Sequence, residues 1–168
     1  MPLAALVPAW GLEKTLDFAR KLAAQQPVWG RGPTRITTSL LAGEHSLFCC
    51  APFGTVHRVK RKDPTGRLSY KVIEPVPARV IDQPTGMLNT ADHPHAALLW
   101  LEFLTSPEGQ EIIDKYEPLK ASVFTRGSAI SQEIPGKEVS VVDWDHNTKF
   151  EEYVEKIFAA YGFPKADK

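Results

Sequence analysis

The chain has 168 residues, 43% of them hydrophobic, and its 20 basic side chains balance its 20 acidic ones. That is enough apolar content for one compact core or parts of two, with no net field to favour nucleic acid or an anionic membrane. The most apolar stretch, Ala96 to Leu104, falls far short of the ~20 residues a membrane-spanning helix requires.

The N-terminal residues Met1 to Pro8 are mildly apolar. They carry no leading Lys or Arg and no cleavage pattern, so they do not read as a signal peptide. Gly11 to Gln26 predicts a helix, with Leu12, Leu16, Ala19 and Ala23 recurring on one face and Pro27 beyond its end. After the turn Trp29-Gly30-Arg31-Gly32-Pro33, a short helix is expected from Thr34 to Ala42, capped by Thr34 and stopped by Gly43.

His45 to Ala51 and Arg67 to Glu74 have the composition of strands. Within the first, the adjacent Cys49 and Cys50 are expected as small buried residues. Neighbouring cysteines close no useful loop, and two thiols alone make no zinc framework. The basic run from His57 to Lys62 runs into Asp63-Pro64-Thr65-Gly66, which predicts a solvated cluster beside a turn.

Pro75-Val76-Pro77 reads as a stiff extended crossing, because each proline fixes φ and removes a donor. A strand is expected from Ala78 to Ile81. Pro94 to Thr105 predicts a helix apolar on almost every side, hence a buried one. Asp92 or His93 would cap it. Ser106 should cap the next helix, with Pro107 at its first position and Glu108 favouring its dipole. Pro118 to Gly136 is expected to be mostly loop, and Val139 to Val142 a strand. A polar turn, Asp143-Trp144-Asp145-His146, then leads to a final helix with Thr148 and Glu151 as a capping box and an apolar stripe of Phe150, Val154, Ile157, Phe158 and Tyr161. The class is α/β.

No catalytic constellation stands out. Asp92-His93-Pro94-His95 has too few donors for a strong metal signal, and Asp143 to His146 lacks the glycine and distal glutamate of a calcium loop. No nucleophile elbow, metalloprotease helix or phosphate loop occurs. These residues imply neither an enzyme nor a bound cofactor, although a small metal-dependent enzyme using Asp92, His93 and His95 stays open beside a stand-alone protein-interaction module.

Three blocks carry a resemblance. His93-Pro94-His95-Ala96-Ala97, running through Leu101-Glu102-Phe103-Leu104 into Ser106-Pro107-Glu108-Gly109-Gln110, resembles the C-terminal signature of extracellular solute-binding proteins of ABC importers. Leu40-Leu41-Ala42-Gly43-Glu44 resembles that family's internal L-x-A-G-E block, and Glu74-Pro75-Val76-Pro77 its crossing between lobes. The iron(III)-type branch is the most similar. The resemblance implies a periplasmic-binding-protein-like type II fold, here the C-terminal half only, with a sheet flanked by helices in an incomplete two-lobe architecture. It assigns residues 1–75 to part of the second lobe and 76–168 to the return segment to the first lobe with the C-terminal helices.

It further implies capture of a small solute for a membrane permease, a periplasmic location, no nucleic acid, and no chemical turnover. In the truncated form, unpaired strand edges imply a homo-oligomer. Iron-binding relatives place paired tyrosines where this chain has Phe53-Gly54, so ferric ligation by that route is not expected, and an organic or oxyanion solute is. By the same resemblance, Phe53 would stack on the ligand, the Gly54 backbone would approach it, and Thr55 and His57 would hydrogen-bond it; the alternative places Phe53 in the core and His57 in solvent. Thr34 and Arg35, at a helix start, are the candidates to hold an anionic group.

Overall fold

The computed structural model describes residues 2–79, 85–117 and 119–163. These residues divide into two compact units, one drawn from 1–80 with 137–168 and the other from 81–136.

The first unit is built around a small apolar core. Its N-terminal 3-10 turn, Pro2–Leu6, runs into helix α1 (Val7–Trp10), and Gly11 at φ 75° turns the chain into α2 (Leu12–Ala24). Leu3, Ala4 and Leu6 from the turn, Leu16 and Ala19 from α2, and Ile157 from the C-terminal helix form the buried cluster. Trp10 meets Phe18 edge to face at 5.4 Å beside it. The mildly apolar N-terminal segment is therefore core material.

Helix α3 (Pro33–Leu41) and α4 (Phe53–Lys62) pack against each other further along the same unit. Gly32, not Thr34, is the N-cap of α3. Pro33 supplies the ready-made φ of a first helical residue, which pulls the helix start one position earlier than expected.

Neither expected strand between these elements and the prolines exists: His45 to Ala51 and Arg67 to Glu74 are turn and irregular chain. A strand persists only where a partner completes its ladder, and among the described residues the sheet contains two strands, β1 (Val76–Arg79) and β2 (Val139–Val142). Residues 67–74 are instead tethered from one end. Asp63 accepts hydrogen bonds from the backbone N–H of Thr65 (2.9 Å) and Leu68 (3.2 Å) and from the Thr65 hydroxyl (2.6 Å), as the turn at the end of the basic run predicts.

β1 begins earlier than the expected Ala78, and its expected end at Ile81 lies outside the described residues. The two strands run parallel, Val76 opposite Val139 and Ala78 opposite Val141. Pro77 fits because this short pair has open edges, where a missing donor costs no ladder bond. Fully buried Ser140 ties the sheet to the N-terminal segment, donating to the Ala5 carbonyl at 2.7 Å and accepting from the Ala9 N–H at 3.3 Å.

The last two helices depart from the expected capping. Asp143 accepts from the His146 N–H at 2.9 Å and starts a short helix, α7 (Trp144–Thr148), where a polar turn was expected. An Asp so placed satisfies an orphan donor and nucleates the turn. Thr148 thereby becomes the end of α7, donating back to Asp145, and α8 (Phe150–Tyr161) starts from Lys149 without a side-chain cap. The expected box of Thr148 and Glu151 does not form. Ile157 of the apolar stripe is fully buried against α2, while Phe158 stays exposed.

The second unit contains α5 (Pro94–Thr105) and α6 (Pro107–Tyr116), with the boundaries and the Ser106 cap that the sequence predicts. Its burial corrects the expectation. None of the α5 residues is buried; Ala97, Leu101 and Leu104 are half-covered on one face, while Leu98, Leu99, Trp100 and Phe103 are exposed. An all-round apolar helix marks what it can bury, not what one neighbouring helix covers. His93 occupies the N-cap of α5 but contributes no side-chain bond there.

The Ser106-Pro107-Glu108-Gly109-Gln110 block has a structural reason. The Ser106 hydroxyl donates to the Phe103 carbonyl (2.8 Å) and accepts from the Gly109 N–H (3.1 Å). A Cβ on Gly109 would lie 2.0 Å from the Phe103 carbonyl oxygen, so glycine is required by close backbone approach. Gln110 then donates to the Leu104 carbonyl (2.7 Å) and accepts from the Ser122 N–H (2.9 Å), stapling the following loop to the helix junction.

Candidate functional site

Five of the six candidate ligand residues fall in the first turns of two helices that pack together. Phe53, Gly54, Thr55 and His57 lie in the first five residues of α4, where all four are half-buried and Val56 between them points into the interior. Thr34 lies in the first turn of α3, exposed, with exposed Arg35 beside it. The Thr34 carbonyl accepts from the Thr38 hydroxyl at 3.0 Å, so its oxygen serves the helix, while its own side chain faces out.

Around Phe53 the local geometry is specific. Its ring meets Tyr70 edge to face at 4.8 Å, and Lys60 places its Nζ 5.0 Å from the Tyr70 ring centre. Phe53 is thus braced by Tyr70, which in turn lies under the Lys60 ammonium, and Phe53 itself stays half-buried. Gly54 opens on free space: a Cβ there would touch nothing within 4 Å. No packing demands glycine at this position, and its absence of side chain leaves the α4 backbone approachable. The Pro52 carbonyl accepts from the Thr55 and Val56 N–H groups at 3.0 and 3.2 Å. Tyr70 was not singled out in the sequence, because residues 67–74 read as strand and gave no reason to place it against α4.

A concavity of about 230 Å³ lies elsewhere on the same unit and is lined by Val7, Val141, Asp143, His146, Lys149 and Tyr153 among others. The His146 ring is buried against Tyr153 at 5.0 Å. The lining of this concavity combines carboxylate, imidazole and ammonium groups with the apolar side chains of Val7, Pro8 and Val141, drawn from segments far apart in the sequence, which no local pattern brings together.

Among the described residues no group of three or more His, Cys, Asp or Glu converges as a metal cage, and Asp92, His93 and His95 do not form one. No helix among them is long and apolar enough to cross a membrane.

Cys49 and Cys50 also depart from expectation. They occupy a turn before α4, Cys49 exposed and Cys50 half-buried, with their sulfurs 3.3 Å apart. The Cys50 S–H hydrogen bond lowers the Cys49 pKa to about 6, and the same bond, together with burial, pushes the Cys50 thiol up. Burial and then the cysteine sulfurs raise the Tyr161 phenol.

The family model for bacterial extracellular solute-binding proteins matches residues 4–116, about two thirds of the chain. No curated protein and no solved structure matches it.

Proposed function

The chain belongs to the bacterial extracellular solute-binding protein family, and from that membership we propose that it captures a small solute for an ABC importer and hands it to the membrane permease without chemical turnover. The observation that carries the ligand site is the start of α4, where half-buried Phe53 is braced by Tyr70 while Gly54 beside it opens on free space. An aromatic face, an approachable backbone and the hydroxyl and imidazole of Thr55 and His57 suit a small organic or oxyanionic solute. Thr34 and Arg35, on the helix packed against α4, supply the positive end for an anionic group.

The finer assignments follow the same premise. The protein works outside the cytoplasmic membrane. It belongs with the iron(III)-type, type II branch by its sequence blocks, with 1–75 in the second lobe and 76–168 returning to the first, yet it uses a solute other than bare ferric ion because Phe53-Gly54 replaces oxygen ligands. The exposed apolar side of α5 supports self-association as a homo-oligomer.

Thermal unfolding with phosphate, sulfate, citrate, taurine and glycerol phosphate as probes tests the site. A solute at ~100 times its Kd adds about 2.7 kcal/mol of stability, and Phe53→Ala, Thr55→Ala or Arg35→Ala should each remove that gain while leaving the ligand-free transition in place. A stabilising solute whose effect survives all three substitutions would move the site elsewhere on the chain. Ferric citrate should give no phenolate-to-iron absorption band.

A further inference from the structure

A strand would place Cys49 and Cys50 on opposite faces, since successive side chains alternate. The observed turn does the reverse. Cys50 adopts a left-handed φ of 61°, which is rare for a residue other than glycine. That bend swings the two side chains to one side and leaves the sulfurs 3.3 Å apart, with Cys49 exposed to solvent.

Two sulfurs at that separation can close on each other or on a third atom. Adjacent Cα atoms are about 3.8 Å apart, shorter than the roughly 4.4–6.8 Å that disulfides favour, so direct closure works against backbone geometry. Closure on a thiophilic atom does not. With sulfur bonds of about 2.3 Å, sulfurs 3.3 Å apart subtend about 90° at the bound atom. That bite is narrower than the tetrahedral angle of zinc and suits a pyramidal, three-coordinate centre. A two-sulfur clamp also matches the surroundings, because no His, Asp or Glu joins the pair as a third ligand among the described residues. Cys50 and Tyr161 both pack against the core cluster, and Tyr161 meets Trp29 edge to face at 4.8 Å.

We propose that Cys49 and Cys50 form a dithiol clamp for trivalent arsenic in the form R–As(OH)₂, an activity separate from the solute site on α4. The Cys49 sulfur attacks arsenic and one hydroxyl leaves as water; the Cys50 sulfur follows and displaces the second. Two As–O bonds break, two As–S bonds form, and two waters are released. The Cys50 thiol supplies one of their protons and solvent the other, and arsenic keeps its oxidation state throughout. The lowered Cys49 pKa makes its thiolate available at neutral pH.

Phenylarsonous acid is the probe. Intact-mass analysis of the full chain should show one adduct that carries the phenylarsenic group and has lost two waters. A dithiol competitor should remove it where the same concentration of a monothiol does not. Cys49→Ser and Cys50→Ser should each weaken binding about 10²-fold, the scale of losing one arm of a two-point attachment, with far-UV circular dichroism unchanged. Protection of both thiols from maleimide by the arsenical in the unsubstituted chain gives a readout independent of any variant. The proposal is overturned if either single variant binds as tightly as the unsubstituted chain or if maleimide labelling is unprotected. It is equally overturned if oxidised glutathione converts the pair to an internal disulfide while the arsenical leaves no adduct.

Discussion

Ile157→Ala isolates what holds the first unit together. Ile157 is fully buried and meets Leu3 and Leu6 of the N-terminal turn and Leu16 and Ala19 of α2 in one cluster. The substitution deletes three side-chain carbons, about 2.4 kcal/mol at ~0.8 kcal/mol each. The cavity left among neighbours from three different segments adds to that, and comparable truncations cost about 2–5 kcal/mol. A loss of about 3–4 kcal/mol is expected, a large fraction of the roughly 5–15 kcal/mol a domain possesses. Urea unfolding followed by tryptophan fluorescence measures it, since Trp10 packs beside the cluster. The midpoint should fall with the slope unchanged, because the surface exposed on unfolding stays the same. Leu47→Ala is the control: Leu47 is 82% exposed and its truncation should stay within about 0.5 kcal/mol. A loss below about 1 kcal/mol for Ile157→Ala would mean that α8 is not seated on the N-terminal turn and that the core lies elsewhere.

Gly109→Ala should cost more than about 3 kcal/mol, because its Cβ would sit 2.0 Å from the Phe103 carbonyl oxygen, a backbone atom that cannot rotate away; thermal unfolding of the variant checks it. Cys49 should be alkylated by iodoacetamide with an apparent pKa near 6, and Cys50→Ala, which removes the S–H donor, should return that midpoint toward the ordinary ~8.5 of a free thiol. The sign for stability follows from the depressed value. Stability contributed by the Cys49 thiolate is present above the unfolded thiol pKa and is lost as pH falls through about 6. Light scattering should show an oligomer at micromolar concentration that Leu99→Ser with Trp100→Ser converts to monomer without loss of helicity; a monomeric unsubstituted chain would refute self-association through α5.

Helices were legible where the apolar period coincided with their punctuation. α5 and α6 have their ends written as His93-Pro94 and Ser106-Pro107, and the structure begins both helices at those prolines. Where two signals competed for one helix start, the sequence alone did not rank them. Pro33 won over Thr34, and Asp143 nucleated α7 early enough to consume Thr148 before it could cap α8. Strand legibility failed for a different reason. Val139–Val142 and Leu47-Phe48-Cys49-Cys50 carry similar local composition, but only the first has a partner in Val76–Arg79, and pairing is a property of the fold, not of the segment.

The candidate site shows the same division between local and distant information. Phe53, Gly54, Thr55 and His57 came from one contiguous block, so their nearness followed from order along the chain, whereas the helix α4 that carries them was not read from the sequence. Tyr70 bracing Phe53 and Tyr161 meeting Trp29 were not, since each pair joins segments whose approach depends on packing. The cysteines make the sharpest case. Whether two adjacent thiols are inert or form a clamp turns on one dihedral, because extended backbone separates their sulfurs and the left-handed bend at Cys50 brings them together. Nothing in the residue types flanking the pair requires that bend. The bend falls in the turn that leads into Pro52, the N-cap of α4, so the spacing of the two sulfurs belongs to the fold and not to the segment alone.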